Sequence, residues 1–260
     1  MQIAELLERI ITDVRLSLSL ATLLPLGSAK PSDNGEVARA SWALPVAGLV
    51  VGLAGAIAYW AARKVGLPSD PAAVLALAAT VLVTGALHED GLADAADGLG
   101  GGKSREQKLA IMRDSRIGSY GACALILSMI VRWSALATIA EPRAVISALL
   151  VAHVAARASL PALMWLVPPA RSDGLSAGAG QPLGESALIA AGLGFLALVF
   201  GFGFARAMLG LCLLALCVAL WSFLATRAVG GQTGDILGAL EQTSEIAILL
   251  LATTAVHTGI

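Results

Sequence analysis

The sequence predicts an all-α protein: a polytopic transmembrane helical bundle of six to eight spans with cytoplasmic active-site loops, folded as one integral membrane domain over residues 1–260. Three observations lead there. Hydrophobic residues make up 57% of the chain and charged residues only 13%, where soluble domains carry about 25% charge. So little charge cannot cover a water-facing surface. The apolar residues also come in runs that meet or approach the ~20 residues needed to cross about 30 Å of hydrocarbon. Finally, these runs are too long and too uniformly apolar for barrel strands, and in lipid a helix satisfies its own backbone groups.

The runs lie near 42–61, 72–87, 119–140, 144–167, 186–205, 207–226 and 244–259. The stretch 5–24 is different, because Glu5, Glu8, Arg9, Asp13 and Arg15 interrupt it. It suits a helix at the interface or one lining a protein-facing groove. Its scattered charges also differ from a signal peptide, which puts a basic start before a clean apolar core. Most tryptophans (Trp42, Trp60, Trp133, Trp165, Trp221) fall near span ends, as in an aromatic belt. Cys123, Cys212 and Cys217 sit in apolar runs without CxxC spacing and read as buried thiols.

Polar connections occupy 27–40, 62–71, 88–118, 168–185 and 227–243. If 88–118 is cytoplasmic, alternation puts 27–40, 168–185 and 227–243 on the same side. The inside basics are then Lys30, Arg39, Lys103, Arg105, Lys108, Arg113, Arg116, Arg171 and Arg227. The outside ones are Arg63, Lys64, Arg143 and Arg206, fewer than half as many, as the positive-inside rule requires. Net charge is -1, and no basic patch with interleaved aromatics is present, so nucleic acid is not an expected partner.

Chemistry concentrates in 84–121, TGALHEDGLADAADGLGGGKSREQKLAIMRDSRIGSYG. Asp90, Asp94 and Asp97 stand at i, i+4 and i+7, one face of a helix. Three carboxylates on one face repel unless something positive compensates. Mg²⁺ prefers oxygen ligands and recruits substrate phosphates, so these acids, with Glu89 beside them, are the candidate metal ligands. Asp114 follows, flanked by Arg113 and Arg116. Acids for a metal and guanidinium groups for phosphate are the needs of phosphoryl or nucleotidyl transfer. Gly91, Gly98 and Gly100–Gly102 allow close backbone approach to a ligand. GLGGGKS is no P-loop, because Asp97 stands where that pattern needs glycine and no strand precedes it. A second polar stretch, TRAVGGQTGDILGALEQTSE (226–245), adds Asp235 and belongs on the same membrane face.

LHEDGLADAADG (87–98), MRDSRIGSYG (112–121) and GGQTGDILGALEQTSE (230–245) together resemble the cobalamin synthase family, the adenosylcobinamide-GDP ribazoletransferases. The likeness extends weakly over the ASWALPVAGLVVG and PPARSDGL segments. The resemblance implies a bacterial inner-membrane, Mg²⁺-dependent enzyme. Such an enzyme transfers cobinamide phosphate from adenosylcobinamide-GDP to α-ribazole or its 5′-phosphate and releases GMP. Lys103, Arg113 and Arg116 would hold guanylate or bridging oxygens. Asp114 would be a further ligand or would orient Arg116. His88 or one of the carboxylates would accept the hydroxyl proton. A homo-oligomer is compatible with this reading.

Two alternatives share the composition. A CDP-alcohol phosphotransferase resembles DGxxAR followed by GxxxDxxxD, but here DGLA is followed by Asp94 and Ala95 where the pattern has alanine and arginine, and the tail is missing. A transporter would place its acids in broken spans at midplane, whereas here they cluster in one polar loop. Arg132 and Arg157, with His153 one turn before Arg157, lie inside apolar runs. They read either as the lining of a corrinoid cavity or as a structural hydrogen-bonded group.

Overall fold

A computed structural model describes residues 3–26, 35–172 and 178–257, with side chains through Thr254. Lys30 and the end of PPARSDGL, from residue 173, lie outside the described residues. The helices are α1 (Ile3–Ala21), α2 (Glu36–Ala40), α3 (Leu44–Lys64), α4 (Ser69–Thr84), α5 (Leu87–Gly101) and α6 (Arg105–Ile111), then α7 (Ser119–Ile139), α8 (Pro142–Leu166), α9 (Gly184–Phe202), α10 (Phe204–Val229) and α11 (Gly234–His257). Six stretches are long and apolar enough to cross a membrane: 36–64 (containing α3), α7, α8, α9, α10 and residues 234–254 of α11. The helical bundle is thus as predicted.

Each span ends for a local reason. Glu141 caps α8, its carboxylate accepting from the Ala144 N–H at 2.7 Å, and Pro142 opens that helix with its pre-set φ. Gly230, at φ 75°, closes α10 in the left-handed conformation. Thr233 accepts from the Ile236 N–H at 3.2 Å and starts α11. That cap corrects one boundary. The stretch 234–243, expected as a connection, is already helix, so Glu241 and Glu245 lie within a span.

Helix α8 is the most buried span, and α11 follows it. In α3, Gly48 and Gly52 form a GxxxG pair against α8; a Cβ on Gly52 would stand 2.9 Å from the Leu149 carbonyl oxygen. Small residues let two helix backbones approach where lipid offers no hydrophobic drive. The outer surface is apolar, with Leu82, Leu188, Phe200 and Phe223 exposed. Cys123 and Cys212 also face outward, which corrects the expectation of buried thiols; an apolar run on the lipid side needs no protein cover.

Helix α1 is amphipathic and is not among the six spans. Ile3, Leu7 and Ile11 are exposed on it. Its buried Asp13 receives Arg39 at 2.9 Å and the Trp42 indole at 3.0 Å, which ties α1 to α2 and to the turn ahead of α3. The largest surprise is the 88–118 segment. It is not a loop, because α5 and α6 occupy most of it. Helices α4 and α5 form a pair bent by 88°, and the joint is Gly85 and Ala86 at φ 64° and 59°. Glycine adopts that conformation freely, whereas alanine is strained in it.

The two ends of the bundle sort as alternation requires. Tyr59 donates to the Ala140 carbonyl at 3.0 Å, and Trp133 donates to that of Asp70 at 3.2 Å. At the other end Arg105 reaches the Val229 and Ala170 carbonyls, and residues 168–170 pair with Gln232 in a single parallel bridge.

Candidate active site

Helix α5 carries two chemistries on two faces. A helix turns about 100° per residue, so Asp90 and Asp94 share one side while His88 and Glu89 point elsewhere. Asp90 is exposed and Asp94 half-buried. Asp94 feels the charges of Asp90, Asp235 and Asp97. Asp235, in the first turn of α11, is half-buried; it accepts from the Thr233 hydroxyl at 3.1 Å and from Arg171 at 3.3 Å. The two polar stretches read from the sequence therefore meet at one place.

Gly91 explains the meeting. A Cβ there would stand 3.1 Å from the Asp235 carbonyl oxygen and from the Gly238 Cα. The close approach expected of Gly91 toward a ligand is made instead by another helix. Gly98 is alike: its Cβ would meet the Met112 side chain and, at 3.0 Å, the Lys108 carbonyl, so it seats α6. Both glycines pack helices and, through them, position the site.

Asp97 stays on the acidic face, with its carboxylate engaged. Oδ2 accepts from the Gly118 N–H at 2.7 Å and Oδ1 from the Gly121 N–H at 2.9 Å. It caps α7, where a negative charge meets the positive end of the helix dipole.

The other side of α5 enters a buried ionic network. Glu89 accepts from Arg132 at 3.2 Å and from Gln242 at 3.4 Å. Arg132 also reaches Glu245 at 3.3 Å. Arg157 lies 2.6 Å from Glu241 and 3.1 Å from His153. His88 lies 3.3 Å from Arg157 and 3.4 Å from Glu241. All eight groups are buried. Glu89 thus faces away from Asp90 and Asp94, beside which it was expected to bind metal, and His88 lies inside the network, away from the exposed face. Arg132 and Arg157 form the structural hydrogen-bonded group, the second of their two readings. His153, Glu241 and Glu245 are close enough to share a metal ion, but both guanidinium groups already neutralise those acids.

The basic residues divide as well. Arg116 is 87% exposed and grips Asp114 through its Nε at 2.9 Å. That pair holds the Asp114 carboxyl below its usual range, at about 2. Lys103 is exposed ahead of α6. The GKS stretch there is a capping box, in which Ser104 accepts from the Gln107 N–H and Gln107 accepts in return. Arg113, Arg105 and Arg171 line a common cleft. Sequence reading had no site role for Arg105, Arg171, Glu241 or Glu245. The signal for the last two was their i, i+4 spacing just before an apolar run.

Fold and site together define a polytopic membrane protein that gathers acids and a cluster of arginines at one end of its helical bundle. Comparison with known sequences then gives the family. A model of the cobalamin-5-phosphate synthase family matches residues 13–253, and the chain belongs to that family. It is 61% identical to the adenosylcobinamide-GDP ribazoletransferase of Bradyrhizobium diazoefficiens, over 95% of both chains. Identity to the Mesorhizobium japonicum protein of the same name is 53%, again over 95% of both. The Azorhizobium caulinodans protein of that name is 44% identical over 93% of this chain and 95% of its own. No solved structure matches the chain.

Proposed function

We propose that this chain transfers the cobinamide phosphate of adenosylcobinamide-GDP to α-ribazole or its 5′-phosphate and releases GMP. Its family and the names of its relatives support the reaction. The observation that carries the site is the convergence of Asp90 and Asp94 on α5 with Asp235 on α11, flanked by arginines. A transporter is disfavoured in the sequence because its acids would sit in a broken span. Since α5 is half of a bent pair, that ground is lost, and family membership sets both the transporter and the CDP-alcohol phosphotransferase aside instead.

The donor chemistry of Asp90, Asp94 and Asp235 suits Mg²⁺, although among the described residues only His153, Glu241 and Glu245 place three ligand atoms within 4.8 Å of one another, so the acidic face would close on the ion by side-chain rotation. Three carboxylates lie within reach of one another's fields, and Arg171 stands 3.3 Å from Asp235 on that face. Asp90, Asp94 and Asp235 would hold the ion, with Asp97 capping α7 behind them. When bound, Mg²⁺ neutralises charge on the phosphoric anhydride. A ribose hydroxyl oxygen of ribazole that is free in both the nucleoside and its 5′-phosphate bonds to the cobinamide phosphorus. The bond from that phosphorus to the bridging oxygen breaks, and the oxygen leaves with guanylate. The hydroxyl proton passes to a carboxylate of the exposed face or to water, because His88 is enclosed. In the cell the acidic face and the 168–172 segment would face the cytoplasm from the inner membrane.

Purified protein with both substrates and Mg²⁺ tests this. The expected result is GMP release that depends on α-ribazole, with a product whose mass is that of adenosylcobalamin or its 5′-phosphate. GMP release that ignores ribazole, or none under any condition, overturns it.

A further inference from the structure

A cleft of about 620 Å³ opens beside the acidic face, lined by Arg105, Arg113 and Arg171 together with Glu106, Leu109 and Ala110. Its volume lies within the roughly 300–1,000 Å³ of small-molecule sites. The arginines come from three places: the first residue of α6, the turn after α6, and the segment after α8. Arg105 is fixed by the Val229 carbonyl at 2.8 Å and the Ala170 carbonyl at 2.7 Å. Arg171 bonds Asp235 at 3.3 Å, and the charge of Arg113 also acts on Asp235. The lining carries three guanidinium groups against one carboxylate, Glu106.

We infer that this cleft binds the phosphate of the departing nucleoside monophosphate, with Arg113 and Arg171 as its anion-binding residues and Arg105 as the fixed wall. The inference rests on the proposed transfer and locates its leaving group. A cation site joined by an ion pair to an arginine cleft matches a diphosphate, with one phosphate on each. Negative charge grows on the guanylate side as the bridging oxygen departs, and guanidinium forks there favour that state. Leu109 and Ala110 supply an apolar wall on the same cleft.

The test is a GMP titration of the purified full chain in detergent, with EDTA present so that the acidic face holds no cation. Arg113→Ala and Arg171→Ala are each expected to weaken GMP about tenfold, as one charge-assisted hydrogen bond implies. Arg171→Lys, which keeps the charge, should recover most of the loss. Arg227→Ala, an exposed charge outside the cleft lining, should leave GMP affinity unchanged. In turnover, the cleft variants should raise KM for adenosylcobinamide-GDP and the inhibition constant for GMP, with KM for α-ribazole unmoved. Wild-type protein that binds no GMP overturns the inference. So does a well-folded double variant that binds GMP as wild type does. If the transfer proceeds but the cleft variants leave GMP inhibition unchanged, the cleft falls and the reaction stands. If GMP binds through these arginines but no transfer occurs, the cleft stands and the proposed reaction falls.

Discussion

The two faces of α5 use the same residue types to opposite ends. On the inner side, Glu89 joins Glu241 and Glu245 in a network where every carboxylate meets a guanidinium group, Arg132 or Arg157. On the outer side, Asp90 and Asp94 meet Asp235, and Arg171 is the guanidinium paired there. Compensation therefore separates an acid paired inside the bundle from one that the proposed function leaves to a cation. Burial enforces the division. A charge inside the bundle is tolerated only with its partner in place, whereas one at the rim can wait for a ligand.

The sharpest break of this comparison is within the network. Arg157→Met leaves Glu241 buried without its guanidinium, and should cost about 3–5 kcal/mol. Thermal unfolding in detergent reads the loss, and the matched double variant Arg157→Met, Glu241→Leu should regain part of it. Unchanged stability in Arg157→Met would make the network ornamental.

On the outer face the effect should appear in rate and not in folding. Asp90→Asn and Asp94→Asn should each lower kcat/KM by roughly 100- to 1,000-fold, the scale of one lost charge-stabilising group. Their melting temperatures should stay at the wild-type value. Full activity in either variant would remove the proposed metal site.

Two smaller effects sharpen the boundary between the faces. Gly91→Ala puts a methyl group against α11, and should cost about 1–3 kcal/mol by forcing the helices apart. Stability and activity should fall together, because the same contact brings Asp235 to Asp94. Asp97→Ala removes the cap of α7, and should cost about 1 kcal/mol. A larger fall in kcat/KM than the cap explains would return Asp97 to the metal set.

Much of this was legible in residue order. Run lengths gave the spans because lipid leaves a chain few choices. The i, i+4 spacing of Asp90 and Asp94 placed them on one face because helix geometry is local. The 88–118 segment was less legible. Its glycines and acids look like a loop, and its helicity rests on packing against α11 at Gly91 and Gly238. Likewise, residue order does not show that Asp97 accepts from the N–H groups of Gly118 and Gly121, or that Glu89 meets the guanidinium of Arg132.

By itself, then, the sequence determined that the chain is a lipid-embedded helical bundle, and which short segments carry its chemistry. Hydrophobicity and helical period are properties of neighbouring residues. The tertiary structure alone decided which acids are partnered, because their partners are distant in the chain. Arg132 and Glu89 are 43 residues apart, and Arg171 and Asp235 are 64. A charge's role follows from what stands within a few ångströms of it, and only the folded bundle sets those distances.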